Sequence, residues 1–121
     1  MKKLIISLAS LSLLAASPVL VRADDKPDQA STSVTGEVLD MACYTDHGAQ
    51  GEKHAACAQK CIASGLPVGI KDADGKVYLV IGAHKPMNDE LAPYGGKTVT
   101  LKGKLVSRDG INMLENAELV K

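Results

Sequence analysis

Three cysteines and two histidines lie within nineteen positions of this 121-residue chain, and three cysteines with one of these histidines form a candidate set of metal ligands. The cysteines, the only ones in the chain, are Cys43, Cys57 and Cys61, and the histidine is His54. Three thiolates and one imidazole match the four donors of a tetrahedral zinc site, and thiolates also select Cu(I). The sequence therefore predicts one Zn or Cu(I) ion bound by these four residues.

A disulfide is the alternative use of the same cysteines. An odd number of thiols cannot all pair within one oxidised chain. Cys43 would bond to Cys57 or Cys61, and the third thiol would stay free or form a bridge to another molecule. The sequence leaves this alternative open, because oxidising compartments favour disulfides.

A helix predicted over Glu52–Ser64 bears on this choice. The segment is rich in alanine, contains neither Gly nor Pro, and is followed by Gly65. On such a helix His54, Cys57 and Cys61 fall on one stripe, at spacings of i, i+3 and i, i+4. Side chains at these spacings stand about 5–6 Å apart at Cβ, whereas a disulfide needs about 3.5–4.5 Å. The helix therefore favours a shared metal ion, which sits between its ligands, over a bond between Cys57 and Cys61.

The other histidines and the methionines are weaker candidate ligands. His47 lies in the segment Cys43–Gly51, which contains two glycines, has no periodicity and is predicted to be a loop. We expect His47 and His84 to be surface residues, although either could act as a ligand if the fold brought it near the cysteines. The methionines are expected to fill gaps in the core, because the chain has no Phe and no Trp.

The cysteine segment resembles a pattern shared by small exported bacterial proteins, most of which have no assigned function. The pattern is G-x-V-x-D-x-x-C-Y, followed by G-x-x-H-x-x-C-A-x-x-C-I-x-x-G-x-P-V-G. In this chain it runs from Gly36 to Gly69, about a third of the mature protein. The resemblance implies that the three cysteines and His54 belong to one unit, and it implies no particular function.

Residues 1–23 have the features of a secretory signal peptide. A basic start is followed by an apolar run from Leu4 to Val21, and small residues occupy the −3 and −1 positions of Val21-Arg22-Ala23. We expect cleavage after Ala23, a mature chain that begins at Asp24, and location in the bacterial periplasm. An uncleaved membrane anchor is the alternative, and the apolar run is barely long enough to span a bilayer.

Charge and size limit the class of protein. The whole chain has 14 basic and 14 acidic residues, and cleavage leaves 11 basic and 14 acidic residues, a net charge of −3. This charge disfavours nucleic acids and anionic membranes as partners. The 98 mature residues suffice for one small domain, and a core without Phe or Trp gains stability from a bound metal or a disulfide.

The remaining pattern predicts a mainly β protein, a small OB-like five-stranded barrel. Residues 24–31 are polar and are predicted to be a disordered leader, and residues 32–121 are predicted to form a single domain. Strands are predicted at 34–40, with Gly36 at a bend or bulge, and at 68–71, 77–81, 99–106 and 111–120. The Cys/His-bearing loop and helix are inserted between strands 1 and 2. A small open α+β sheet with one packed helix is the alternative.

These observations predict a periplasmic metal-binding protein whose cysteine and histidine cluster serves structure or metal handling. A disulfide-stapled OB-like module that binds a protein or a small ligand is the second hypothesis. A thiol-redox protein is the third, and the absence of a C-x-x-C motif weakens it. Neither a general base nor an oxyanion hole is recognisable, so the sequence does not predict an enzyme. The expected partners are the metal ion and a periplasmic protein.

Overall fold

The computed structural model describes residues 30–121 of the chain. The predicted signal peptide and most of the predicted leader lie outside the described residues. The elements, in chain order, are β1 (Thr32–Asp40), α1 (Met41–His47), α2 (Glu52–Ala63), β2 (Val68–Asp72), β3 (Val77–Val80), α3 (Asn88–Leu91), a 3-10 turn (Ala92–Tyr94), β4 (Thr98–Arg108) and β5 (Ile111–Leu119). Within residues 30–121, no helix has both the length and the apolar character needed to cross a membrane.

The five strands form a closed barrel in the order β1–β2–β3–β5–β4, and β4 returns to pair with β1. The β3–β5 pairing is parallel, and the other four pairings are antiparallel. The helices α1 and α2 lie between β1 and β2. The prediction of an OB-like barrel with an inserted cysteine-bearing segment is therefore confirmed, and the alternative of an open sheet is wrong.

Closure of the barrel depends on β1, which pairs along both of its edges. Residues Thr32–Glu37 pair with β4, and residues Gly36–Asp40 pair with β2. Gly36 takes part in both pairings, and a Cβ at this position would clash with the carbonyl oxygen of Lys71. Glycine is needed here because two strands approach closely; the bulge of the barrel lies instead in β4, between Lys102 and Lys104.

The core is mainly aliphatic, since the chain has no Phe and no Trp, and Tyr78 is buried within it. The largest fully buried side chains are Val38, Leu39, Ile62, Ile70, Leu91, Leu101 and Leu114. Ile62 belongs to α2 and Leu91 to α3, and both lie in the same core cluster as the strand residues. The two helices therefore contribute to the core of the barrel and do not form a separate layer.

The segment after β1 departs from the prediction, because residues Met41–His47 form a helix where a loop was expected. Asp40 caps this helix at its N-terminus, and Gly48 ends it in the left-handed conformation, with φ of 72°. The Gly48 N–H donates to the carbonyl oxygen of Tyr44 at 2.8 Å. A helix of two turns is too short to show an apolar periodicity, so its two caps were the only signals in the sequence.

The close approach at Gly36 predicts that Gly36→Ala destabilises the barrel. The added methyl group would force β1 and β2 apart, and strain of this kind costs about 1–3 kcal/mol. Urea unfolding of the variant and its parent measures the loss. Ser33→Ala, an exposed position on the same strand, is the control and should change the free energy of unfolding by less than about 0.5 kcal/mol. Equal stabilities of the two variants would contradict this account of the glycine.

Candidate metal centre

The structure brings the three cysteines together. Their Sγ atoms all lie within 4.8 Å of one another, and they are the one such group of donors found within residues 30–121. Cys43 belongs to α1, whereas Cys57 and Cys61 lie one turn apart on α2. Cys43 and Cys61 are half-buried, and Cys57 is exposed. The three side chains form a cluster, here called the thiol cluster, that could hold a metal ion.

The cysteines of the thiol cluster are free, and no pair of them is at disulfide distance. Cys57 and Cys61 lie on an unbroken helix, as the sequence predicted, and that helix keeps their side chains one turn apart. A disulfide would require two sulfurs to approach to about 2.05 Å. The disulfide that the sequence left open as an alternative is therefore not formed in this structure, and the geometry is that of separate donors.

Backbone and capping hydrogen bonds hold Cys43 in place. The Ala42 N–H donates to Oδ1 of Asp40 at 3.0 Å, and this bond caps α1 directly after β1. The Met41 N–H donates to the carbonyl oxygen of Pro67 at 3.0 Å. The first turn of α1, which contains Cys43, is therefore tied both to the end of β1 and to the start of β2.

Side chains from the barrel fix the two ends of α2. Gly51 begins the helix and has no side chain to cap it; instead its N–H donates to the carboxylate of Glu37 on β1. A carboxylate is favourable at this end of a helix because the helix dipole is positive there. After the helix ends, the Asn88 side-chain amide donates to the carbonyl oxygens of Ile62 and Leu66, both at 2.8 Å. The helix therefore has little freedom to slide along the barrel.

Two glycines set how closely α2 packs. A Cβ on Gly95 would lie 3.1 Å from the Cβ of Ala58, and a Cβ on Gly96 would lie 2.8 Å from the Cβ of Ala55. Contacts this short do not occur between well-packed side chains, so larger residues at these positions would push the helix outward. The close packing allows the cysteines of α2 to meet Cys43.

Asp40 dominates the electrostatics of the thiol cluster. The neighbouring carboxylate of Asp40 is the largest cause that raises the pKa of the Cys43 thiol from 9.0 to about 12, and burial and the other two cysteines act in the same direction. Partial burial raises the pKa of Cys61, and the neighbouring Asp40 and Cys57 act in the same direction. Without a metal, Cys43 and Cys61 are therefore neutral thiols at neutral pH. A bound cation reverses this preference, because a coordinating thiol is deprotonated.

A small pocket adjoins the thiol cluster. Its cavity volume is about 10 Å³, enough for about one water molecule or one ion. Cys43 and Cys57 line it together with Glu37, Asp40 and His54. The enclosed part of the pocket is therefore of the size of a single ion.

His54 lies at this pocket but is not among the donors that lie within 4.8 Å of one another. Its side chain is exposed, and its ring centroid is 6.3 Å from that of His47. His47 lies 3.1 Å from the carboxylate of Asp46, on the exposed side of α1. The assignment of His54 as the fourth ligand stays a prediction.

The remaining candidate donors lie elsewhere. His84 lines a different pocket, with Glu115 and Asn116. Met87 is buried in the main core cluster, as expected of a residue that fills gaps. Neither side chain lines the pocket beside the thiol cluster.

Asp40 is the site residue that the sequence analysis missed. It was interpreted only as the end of the first strand, although it is part of the D-x-x-C motif that ends in Cys43. Among the described residues it is the one buried charged side chain, with 2% of its surface exposed. An acidic residue three positions before a cysteine, at the end of an apolar strand, was the available signal.

Comparison with known proteins gives the thiol cluster no assigned chemistry. No protein-family model matches the chain, and no curated protein or solved structure matches it. A barrel architecture by itself supports many unrelated functions. The functional conclusion therefore follows from the geometry of the three cysteines and their surroundings.

The raised pKa of Cys43 predicts that the metal-free protein loses stability at alkaline pH. The folded chain keeps the thiol proton up to about pH 12, whereas an unfolded cysteine releases it near about pH 8.5. The unfolded state then binds fewer protons, so the free energy of unfolding should fall as the pH rises from about 8.5 toward 12. Urea unfolding of metal-free protein across this range measures the slope.

The control for this prediction is Cys43→Ser, which removes the ionisable group. The stability of this variant should depend less steeply on pH over the same range. Equal slopes for the variant and its parent would contradict the proposed effect of Asp40 on Cys43.

Proposed function

We propose that this protein binds one thiophilic metal ion, Zn²⁺ or Cu(I), through the thiolates of Cys43, Cys57 and Cys61. The observation that carries the proposal is the meeting of three sulfurs, from two separate helices, within 4.8 Å. A Zn–S bond of about 2.3 Å places two sulfurs of one site about 4 Å apart. The spacing of the thiol cluster is therefore close to the spacing that an ion requires.

A metal ion would engage more of the three thiols than a disulfide would. A disulfide would leave one of the three thiols unpaired, whereas an ion engages all three. Such an ion also needs no change in α2, because it sits between Cys57 and Cys61. The size of the adjoining pocket supports an ion in preference to a larger ligand.

The bound ion would act as a cross-link between α1 and α2. Barrels of this size without large aromatic side chains have a small core, and the free energy of metal binding adds directly to the stability of the fold. The exposure of Cys57 gives the site a second property, because an incoming ligand can reach the ion from solvent. The proposed role is therefore structural, with metal exchange possible at Cys57.

We place this function in the bacterial periplasm. The support is the pattern of residues 1–23, which has the basic start, apolar run and small residues of a signal peptide. A periplasmic protein that donates or accepts the ion is the proposed partner.

The proposal predicts close to one Zn or Cu per chain in protein purified without oxidant. Cys57→Ser should lower this content sharply, because an alcohol is a much weaker ligand than a thiolate for these ions. Elemental analysis of the purified protein measures the ratio. Ala56→Ser, the neighbouring exposed position on α2, is the matched control and should keep the metal. Metal-free protein with a bond between Cys43 and another cysteine would support the disulfide-stapled binding module instead.

The proposal also predicts how stability responds to reagents. Removal of the ion by a chelator should lower the melting temperature, because metal binding contributes to folding free energy. A reductant alone should have no such effect. Differential scanning calorimetry of protein treated with each reagent separates the two hypotheses, since a disulfide staple would show the reverse pattern. Insensitivity to both reagents would show that the cluster is not structural.

A further inference from the structure

The carboxylate of Asp40 has one oxygen without a conventional partner. Oδ1 accepts the capping hydrogen bond from the Ala42 N–H. Oδ2 exposes less than 1 Å² to solvent and receives no hydrogen bond from an N–H or O–H group. The polar groups beside the carboxylate are the thiols of Cys43 and Cys61. Asp40 therefore places a buried acceptor at the pocket that Cys43 and Cys57 also line. Like His54, Asp40 is not among the donors that all lie within 4.8 Å of one another, so ligation through Oδ2 would bring this oxygen and the three sulfurs closer together around the ion.

A buried carboxylate oxygen without a hydrogen-bond partner, such as Oδ2 of Asp40, destabilises the metal-free fold. Burial of a polar group without a full hydrogen bond destabilises the fold, and more so when the group is charged. Thiols are weak donors and offset little of this cost. A bound cation would provide the missing partner, because buried charges in proteins are paired or bind metals.

Two groups border the thiol cluster from different sides. His54 is exposed at the pocket, whereas Asp40 approaches Cys43 and Cys61 from the interior of the protein. The Asp40 side chain is already buried and held by its hydrogen bond to the Ala42 N–H, so it loses little conformational entropy when it binds an ion. The exposed imidazole of His54 would lose more conformational entropy on binding. Preorganisation therefore favours Asp40 over His54.

We propose that Oδ2 of Asp40 is the fourth donor to the ion, and that it makes the site selective for Zn²⁺ over Cu(I). This inference rests on the proposed function of the thiol cluster. Aspartate is an established type of zinc ligand, with Zn–O distances of about 2.0–2.2 Å. Carboxylate is a hard donor that Cu(I) does not favour, since Cu(I) is selected by thiolate and thioether.

Charge balance leads to the same selectivity. Three thiolates and one carboxylate carry four negative charges in a partly buried space, in which Asp40 is buried and Cys43 and Cys61 are half-buried. A divalent ion neutralises two of them, whereas Cu(I) neutralises one. The repulsion that remains is larger with Cu(I), and it acts at close range where water screens it poorly. Asp40 therefore adds more to the binding of Zn²⁺ than to the binding of Cu(I).

The test compares Asp40→Asn with His54→Ala in titrations of Zn²⁺ and of Cu(I) against chromophoric chelators, with Cu(I) kept reduced and anaerobic. Asparagine caps helices as well as aspartate does, so the capping of α1 is retained while the charge is lost. We expect Asp40→Asn to weaken Zn²⁺ binding about 10- to 100-fold. Cu(I) binding should change by less than about threefold, because its soft ligands remain. His54→Ala should leave both affinities close to those of the parent.

Co²⁺ provides a second readout that reports on the ligands themselves. The thiolate charge-transfer absorption should remain in Asp40→Asn, because the three cysteines are unchanged, while the ligand-field bands should shift. His54→Ala should give the spectrum of the parent. Circular dichroism of the metal-free variants verifies folding, and Asp40→Ser, which also retains a capping side chain, repeats the test if the asparagine variant does not fold.

The outcomes separate this inference from the function on which it rests. Parent protein that binds none of Zn²⁺, Co²⁺ and Cu(I) would overturn both. Parent protein that binds Zn²⁺, with the affinity lost in His54→Ala and kept in Asp40→Asn, would overturn the inference and assign the fourth position to His54. Equal losses of Zn²⁺ and Cu(I) in Asp40→Asn would overturn the selectivity. Loss of Zn²⁺ alone, in Asp40→Asn alone, would support it.

Discussion

The junction at Asp40 is the constraint on which the barrel and the thiol cluster both depend. β1 must pair with β2 as far as Asp40, because this pairing closes one side of the barrel. The chain then enters α1 at once, and Oδ1 of Asp40 caps that helix. Oδ2 of the same carboxylate is buried without a hydrogen-bond partner, and Asp40 is the largest cause of the raised pKa of Cys43. One side chain therefore connects strand pairing, helix capping and the charge of the site, and a change in any of these affects the others.

One face of α2 packs against the barrel, and the adjacent face carries two cysteines of the thiol cluster. Ala58 and Ile62 are buried on the face that meets the barrel. Cys57 and Cys61 each precede one of these buried residues in the chain, so their side chains project from the neighbouring face. Rotation of the helix would expose Ile62 as it moved the cysteines. The hydrophobic core of the barrel therefore fixes the position of two of the three sulfurs, and the cluster does not depend on a loop.

The strands of the barrel and the helix α2 could be predicted from local sequence patterns. The strands predicted at 68–71 and 77–81 correspond to β2 and β3, and the alanine-rich segment that ends before Gly65 predicted α2. The sequence pattern did not predict α1, because a helix of seven residues is too short to show an apolar periodicity. It also did not reveal why Gly36 must be glycine, since the close approach of β1 and β2 becomes visible only when the barrel closes.

The sequence by itself determined which donors the site contains, because cysteines, histidines and an aspartate are chemical facts of the chain. Only the tertiary structure decided which of them meet. His54 shares a helical stripe with Cys57 and Cys61, so spacing alone grouped the three. The packing of α2 against Gly95–Gly96 and the path of α1 bring Cys43 to the two α2 cysteines and leave His54 exposed. Burial of Asp40 likewise needs the closed barrel, because a strand end is solvated until its neighbours cover it.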